Sequence, residues 1–103
     1  METLCRRYRK NLAEIRKCKK LRRFARLKWL QGEQRRIRPG VERYINDIDD
    51  PVIHRILYEW VIRGRSWQSV ANILGGGNTA DGVRMKAKRH FAAERQKKHN
   101  QHN

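Results

Sequence analysis

Three consecutive glycines, Gly75-Gly76-Gly77, sit inside a chain otherwise rich in helix formers, and they constrain its fold more than any other stretch. Glycine adopts the positive φ values that other residues avoid, so a helix arriving at Leu74 must stop there. Asn78 and Thr79 follow with side-chain oxygens able to cap the exposed amides of a new first turn, which predicts a second helix from Ala80. Ser66 reads as the N-cap of the first helix. Val70, Ala71, Ile73 and Leu74 form its apolar face, with Gln68, Ser69 and Asn72 turned outward. In the second helix Val83, Ala87 and Phe91 recur at i, i+4 and i+8, whereas Arg84, Lys88 and Arg89 lie off that stripe. Asp81 and Met85 stand one turn apart on the free side. Gly82 is a poor helix former, worth roughly 1 kcal/mol less than Ala, and is expected to mark a close approach. The plainer alternative is two surface helices joined by a flexible linker.

A short helix pinned by its apolar side, with cations on the other, has the shape that enters a major groove: charges meet phosphates and the first turn meets base edges. The overall charge agrees. Among 103 residues, 26 Lys and Arg face 10 Asp and Glu, a formal net charge of +16 that calls for a polyanion. Double-stranded DNA is the expected partner. The GGGN run is not a phosphate cradle of the P-loop type, because the Lys-Ser/Thr pair is missing and no apolar strand leads in.

Other chemistries find little support. Cys5 and Cys18 lack CxxC spacing and a nearby His, so the expectation is two reduced thiols with no zinc site and no disulfide. His99 and His102 belong to a polar tail. No Ser-His-Asp set or paired-carboxylate site is evident, and the chain is expected not to be an enzyme and to need no cofactor or metal. No apolar run of membrane-spanning length or signal-peptide core occurs, so a cytoplasmic location with no membrane partner is expected.

Before the glycine turn, residues 1–38 hold fifteen Lys or Arg against three Glu, with no Pro and one Gly, a composition that predicts a long basic N-terminal helix. Leu4, Tyr8, Leu12, Ile15, Cys18, Ala25 and Trp29 share one broad arc, interrupted by Arg22, while Leu21, Phe24 and Leu27 fall outside it. This segment fits three roles. It is a partner-binding or dimerising helix, with homo-oligomer contacts through residues 4–30, or a packed part of the same domain. The third is a basic arm that orders on nucleic acid or lies on anionic lipid.

Arg38-Pro39-Gly40 predicts a break, and the domain boundary is placed there: 1–38 as the basic segment, 39–94 as the DNA-binding domain, 95–103 as a polar tail. Val41, Tyr44, Ile45 and Ile48 predict a short amphipathic helix. Asp50 before Pro51 predicts the start of another, whose face of Val52, Ile53, Ile56, Leu57, Trp60 and Val61 ends at Arg63-Gly64-Arg65. Residues 39–65 carry four basic and five acidic residues, nearly neutral between two cationic flanks, as befits a scaffold; Asp47, Asp49, Asp50 and Glu59 read as caps and solvated faces rather than metal ligands. The last helix is expected to fray near Arg95, with Lys97 and Lys98 as optional phosphate contacts.

The order IDDPVIHRILYEWVIRGRSWQSVANILGGGNTADGVRMKAKRHF resembles the fourth conserved region of bacterial sigma factors, and more closely the ArpU and RinA type of phage transcription regulators. The likeness covers Val41 to Phe91. It rests on the Ile-Asp-Asp lead, the Trp60 to Gly64 run, Ser66-Trp67, Val70-Ala71, and Thr79 opening the reading helix with Val83 four later. The resemblance implies an all-α, sigma-region-4-like helix-turn-helix domain in a phage or mobile-element regulator of a bacterial host cell, with activation expected from touching RNA polymerase, the N-terminal helix being the expected contact, or from positioning a partner. By position it places Thr79, Asp81, Arg84 and Met85 near bases or adjoining phosphates, and Ser66, Gln68, Lys88 and Arg89 on the backbone; Asn78 is counted with the DNA-contacting set. Two alternatives accompany it: a DNA-packaging subunit similar in kind to small terminases, and an adaptor binding RNA or RNA polymerase.

Overall fold

The protein is all-α. A computed structural model gives the backbone for residues 1–101 and side-chain surroundings through residue 97. Helix α1 spans Glu2–Lys20, α2 Phe24–Asn46, α3 Pro51–Leu57 with a π-helical continuation at Tyr58–Ile62, α4 Trp67–Leu74 and α5 Ala80–Gln101. Among the described residues there is no strand, and no helix is long and apolar enough to cross a membrane.

The N-terminal third corrects the expectation of one long helix. The chain reverses at Leu21-Arg22-Arg23, and α1 and α2 form an antiparallel hairpin. Arg22 takes the left-handed conformation at φ 57°. The Arg23 amide donates to the Cys18 carbonyl at 2.9 Å and the Arg22 amide to Lys19 at 3.3 Å, the paired bonds of a Schellman cap. Glycine ordinarily holds that position, so arginine leaves no mark in the sequence. Reversal also alters which residues are buried. Ala25 and Trp29, expected on the apolar stripe, are exposed, Trp29 at 55%; Leu30, Ile37, Val41 and Ile45 face α1 and the core instead.

The expected break at Arg38-Pro39-Gly40 is absent, because α2 runs through Pro39 to Asn46. Proline removes the hydrogen bond to the carbonyl four residues back, but Pro39 and Arg35 both lie on the exposed side, where water serves that carbonyl. Ile37, Val41 and Ile45 hold the opposite face in the core. The expected helix at Val41–Ile48 is therefore the end of α2. Residues 1–38 and 39–94 also share one core: Cys5 and Tyr8 belong to the same buried cluster as Val41, Leu57, Val70 and Phe91.

Polar groups buried in the hairpin are paired, with Arg9 Nε the exception among the described residues. The Gln34 side-chain amide donates to the Tyr8 carbonyl at 2.9 Å, and Asn11 donates to Gln34 Oε1 at 3.2 Å. Glu33 is buried against Arg7. Such partners are needed because an unsatisfied buried polar group costs about 1–3 kcal/mol.

Helix α3 begins as expected: the Asp50 carboxylate accepts from the amides of Val52 at 2.8 Å and Ile53 at 3.3 Å, with Pro51 in the first turn. At the other end of the chain α5 does not fray at Arg95 but continues to Gln101. Ala92 to Lys97 are mostly strong helix formers, which compensates for the missing apolar stripe. The side chains of Lys98, His99 and His102 lie outside the described residues.

Candidate nucleic-acid interface

The helix pair α4–α5 is positioned from below by a buried carboxylate. Glu59, 5% exposed, receives Arg65 Nε at 2.8 Å and Arg55 Nε at 3.3 Å, while Arg63 stands at 3.9 Å. The Arg65 amide also donates to the Glu59 carbonyl at 3.1 Å. This clamp, with Gly64 at φ +67°, folds the chain out of α3 and into Ser66. Ser66 caps α4, its Oγ accepting from the Ser69 amide at 3.2 Å. Trp67 then stacks on Trp60, ring centroids 4.3 Å apart.

The turn follows the expected physics. Gly75, Gly76 and Gly77 all have positive φ, 65°, 60° and 79°. The Gly75 amide donates to the Ala71 carbonyl at 3.0 Å, closing α4. Asn78 commits its side-chain amide to the Gly75 carbonyl at 2.6 Å, so it shapes the turn rather than offering that group outward. Thr79 Oγ1 accepts from the Gly82 amide at 3.0 Å and caps α5. The close approach expected at Gly82 is this cap: an added Cβ would stand 3.0 Å from Thr79 Oγ1.

On α5, Val83, Ala87 and Phe91 are buried, at most 2% exposed, and hold the helix against Val70 and Ala71 in the shared core. Asp81, Arg84, Met85, Lys88 and Arg89 are all exposed. Arg84 has a carboxylate, Asp81, at 3.6 Å, but that side chain is 90% solvent-exposed, so the pairing is weak. On α4, exposed Gln68 bonds Asn72 at 3.0 Å. The set expected from the sequence thus lies on one helix pair, with Arg84 and Lys88 on the flank of α5 that turns toward the two tryptophans.

That flank is shared with residues the sequence did not single out. Arg6 of α1 lines the same cleft as Trp60, Trp67, Arg84 and Lys88. The Arg6 and Arg9 guanidinium carbons lie 5.4 and 5.0 Å from the Trp60 ring centroid. Further along α1, Arg16 lines a second cleft with Arg63, Arg65, Ser66 and Ser69. The helical wheel of α1 shows a cationic face opposite its apolar stripe, but only the hairpin turn determines that this face runs beside α4 and α5. Arg9, Arg16 and Arg6 crowd together, and burial with this like-charge neighbourhood pulls the Arg9 pKa below its ordinary value.

Among the described residues no group of three or more His, Cys, Asp or Glu is placed to hold a metal ion. Cys5 and Cys18 are free and buried, and burial pushes the Cys5 thiol up to about 11. Comparison with known proteins returns no relative: no family model, no curated protein and no solved structure matches the chain.

Proposed function

We propose that the chain is a sequence-specific DNA-binding transcription regulator of phage or mobile-element type, in which α4, the glycine turn and α5 form a helix-turn-helix similar to sigma region 4. In this arrangement α5 enters the major groove. Thr79, Asp81 and Met85 in its first turns face base edges, and Arg84, Lys88 and Arg89 meet phosphates, with Ser66 and Gln68 on the adjoining backbone. No reaction is assigned to the protein, and no cofactor enters. Activation follows from contact with RNA polymerase in the bacterial host.

The observation that carries this reading is the division of α5 into a buried stripe, Val83, Ala87 and Phe91, and an exposed cationic flank, Arg84 and Lys88, that no buried carboxylate neutralises. The charge of +16 makes a polyanionic partner physically favourable. The apolar stripe of α1 is covered by α2, and the large apolar side chains that residues 4–30 still expose are Leu21, Phe24 and Trp29 at the hairpin turn and the start of α2.

Selection of bound duplexes from a random pool, with and without RNA polymerase, tests the proposal. A defined motif, bound more tightly when polymerase is present, is the expected result. Replacing Arg84 and Lys88 by Ala should make log K against log salt shallower by roughly 1.8, since each phosphate contact contributes about 0.9. An unchanged slope, or preference for structured RNA over every duplex, overturns it. Assembly into a large ring would favour packaging instead.

A further inference from the structure

The hairpin brings a second cationic surface alongside the proposed reading helix. On α1, Arg6, Arg9, Lys10, Arg16, Lys17 and Lys20 project from one side, opposite Leu4, Cys5, Tyr8, Leu12 and Cys18. Two of them reach the helix pair directly: Arg6 shares a cleft with Arg84 and Lys88, and Arg16 shares one with Arg65 and Ser66. Neither cleft has a carboxylate in its lining, although Arg63 and Arg65 of the second are held by Glu59 from behind, which leaves Arg16 as its unpaired cation among the described residues. Arg9 donates to the Arg65 carbonyl at 3.1 Å and Arg16 to the Arg63 carbonyl at 3.5 Å, contacts that orient the guanidiniums without cancelling their charge. Arg6 is 3.0 Å from Glu2, but Glu2 is also bonded by Arg95, so one carboxylate serves two cations.

From this continuity of charge we infer that the outer face of α1 is a second phosphate-binding surface, which lies along the DNA backbone next to the site read by α5. The inference rests on the proposed helix-turn-helix reading and adds the N-terminal helix to its footprint. Ten residues separate Arg6 from Arg16, about 15 Å along a helix, and backbone phosphates recur about every 3.4 Å of duplex axis. Helix α1 therefore covers the equivalent of roughly four or five base pairs beyond the recognition site. A regular, sequence-independent polyanion is the ligand that such a row of cations fits. A second copy of this chain, equally basic, would be repelled.

The test uses the full chain, duplexes carrying its selected motif, and Arg6→Gln with Arg16→Gln in one variant. Affinity is measured over a salt series on a minimal duplex and on one extended by about five base pairs on either side, the length that α1 spans. The unaltered protein should bind the extended duplex more tightly, with a salt slope steeper by roughly 1.8, the value for two phosphates at about 0.9 each. The Gln variant should lose that gain and bind both duplexes alike. Arg6→Lys with Arg16→Lys should retain it, because a point charge is enough to bind phosphate.

If the Gln variant keeps the wild-type slope and length dependence while the Arg84/Lys88 variant loses slope, the α1 surface is wrong and the helix-turn-helix reading stands. If neither variant alters the slope, both fail. An equal loss on both duplexes with unchanged slope assigns Arg6 and Arg16 to folding alone and overturns the inference.

Discussion

The indole of Trp67 lies parallel to that of Trp60, 13° from coplanar, and this stack joins the π-helical end of α3 to the first turn of α4. Arg6 and Arg9 approach the Trp60 ring as well, so one aromatic pair connects α1, α3 and α4. A stacked aromatic pair contributes about 0.5–1.5 kcal/mol beyond the area it buries.

Trp67→Ala should therefore destabilise the protein by about 2 kcal/mol, below the ~3–5 kcal/mol of a fully buried Trp because Trp67 is half-buried. Trp67→Phe, which preserves a stacking ring, should cost about half as much. Urea unfolding curves measure both. Equal losses for Ala and Phe would show that a ring restored at this position recovers nothing, and that stacking on Trp60 is not the source of the stability.

Two backbone positions with positive φ should respond in opposite directions to substitution. Arg22 pays about 1 kcal/mol for its left-handed conformation, so Arg22→Gly should raise stability by about that amount. Gly64→Ala should lower it by about 2 kcal/mol, since φ is +67° and the new Cβ would also touch Leu12 Cδ1 at 3.4 Å. Thermal midpoints read both signs directly. A loss on Arg22→Gly would mean that the arginine side chain, rather than the backbone geometry, holds the hairpin turn.

Alkaline pH should weaken the fold through Cys5 and Tyr44. Burial raises the Cys5 pKa from 9.0 to about 11, and burial with a hydrogen bond to Glu94 also raises that of Tyr44. Both groups are neutral when protonated, so the native state binds more protons than the unfolded chain wherever pH exceeds the unfolded pKa. For Cys5, stability is fully present below about pH 9 and declines as pH rises toward about 11. Urea midpoints measured across that window should fall for the wild type. They should fall less for Cys5→Ala; identical slopes would remove Cys5 from the alkaline transition.

Much of the local structure was legible in the sequence because the signals act over one helical turn. Ser66, Asp50 and Thr79 cap helices where their oxygens predict, and the triple glycine makes the turn. The stripe Val83, Ala87 and Phe91 is buried as its spacing requires. The N-terminal third departs from its sequence pattern for equally specific reasons. Arg22 reverses the chain without glycine, and α2 continues through Pro39, which lies with Arg35 on the exposed side of the helix.

Helical content and capping were thus determined by the sequence alone, since backbone sterics need no distant partner, whereas Trp29, Val52 and Ile73, placed on apolar faces by their spacing, are exposed. Tertiary structure decided which basic residues stand together. Arg6 and Arg84 are separated by most of the chain, and they meet in one cleft only because the hairpin turn at Arg22 lays α1 against the core beneath α4 and α5. A helical wheel assigns a residue to a face; packing of the apolar side against the rest of the molecule determines what that face lies beside.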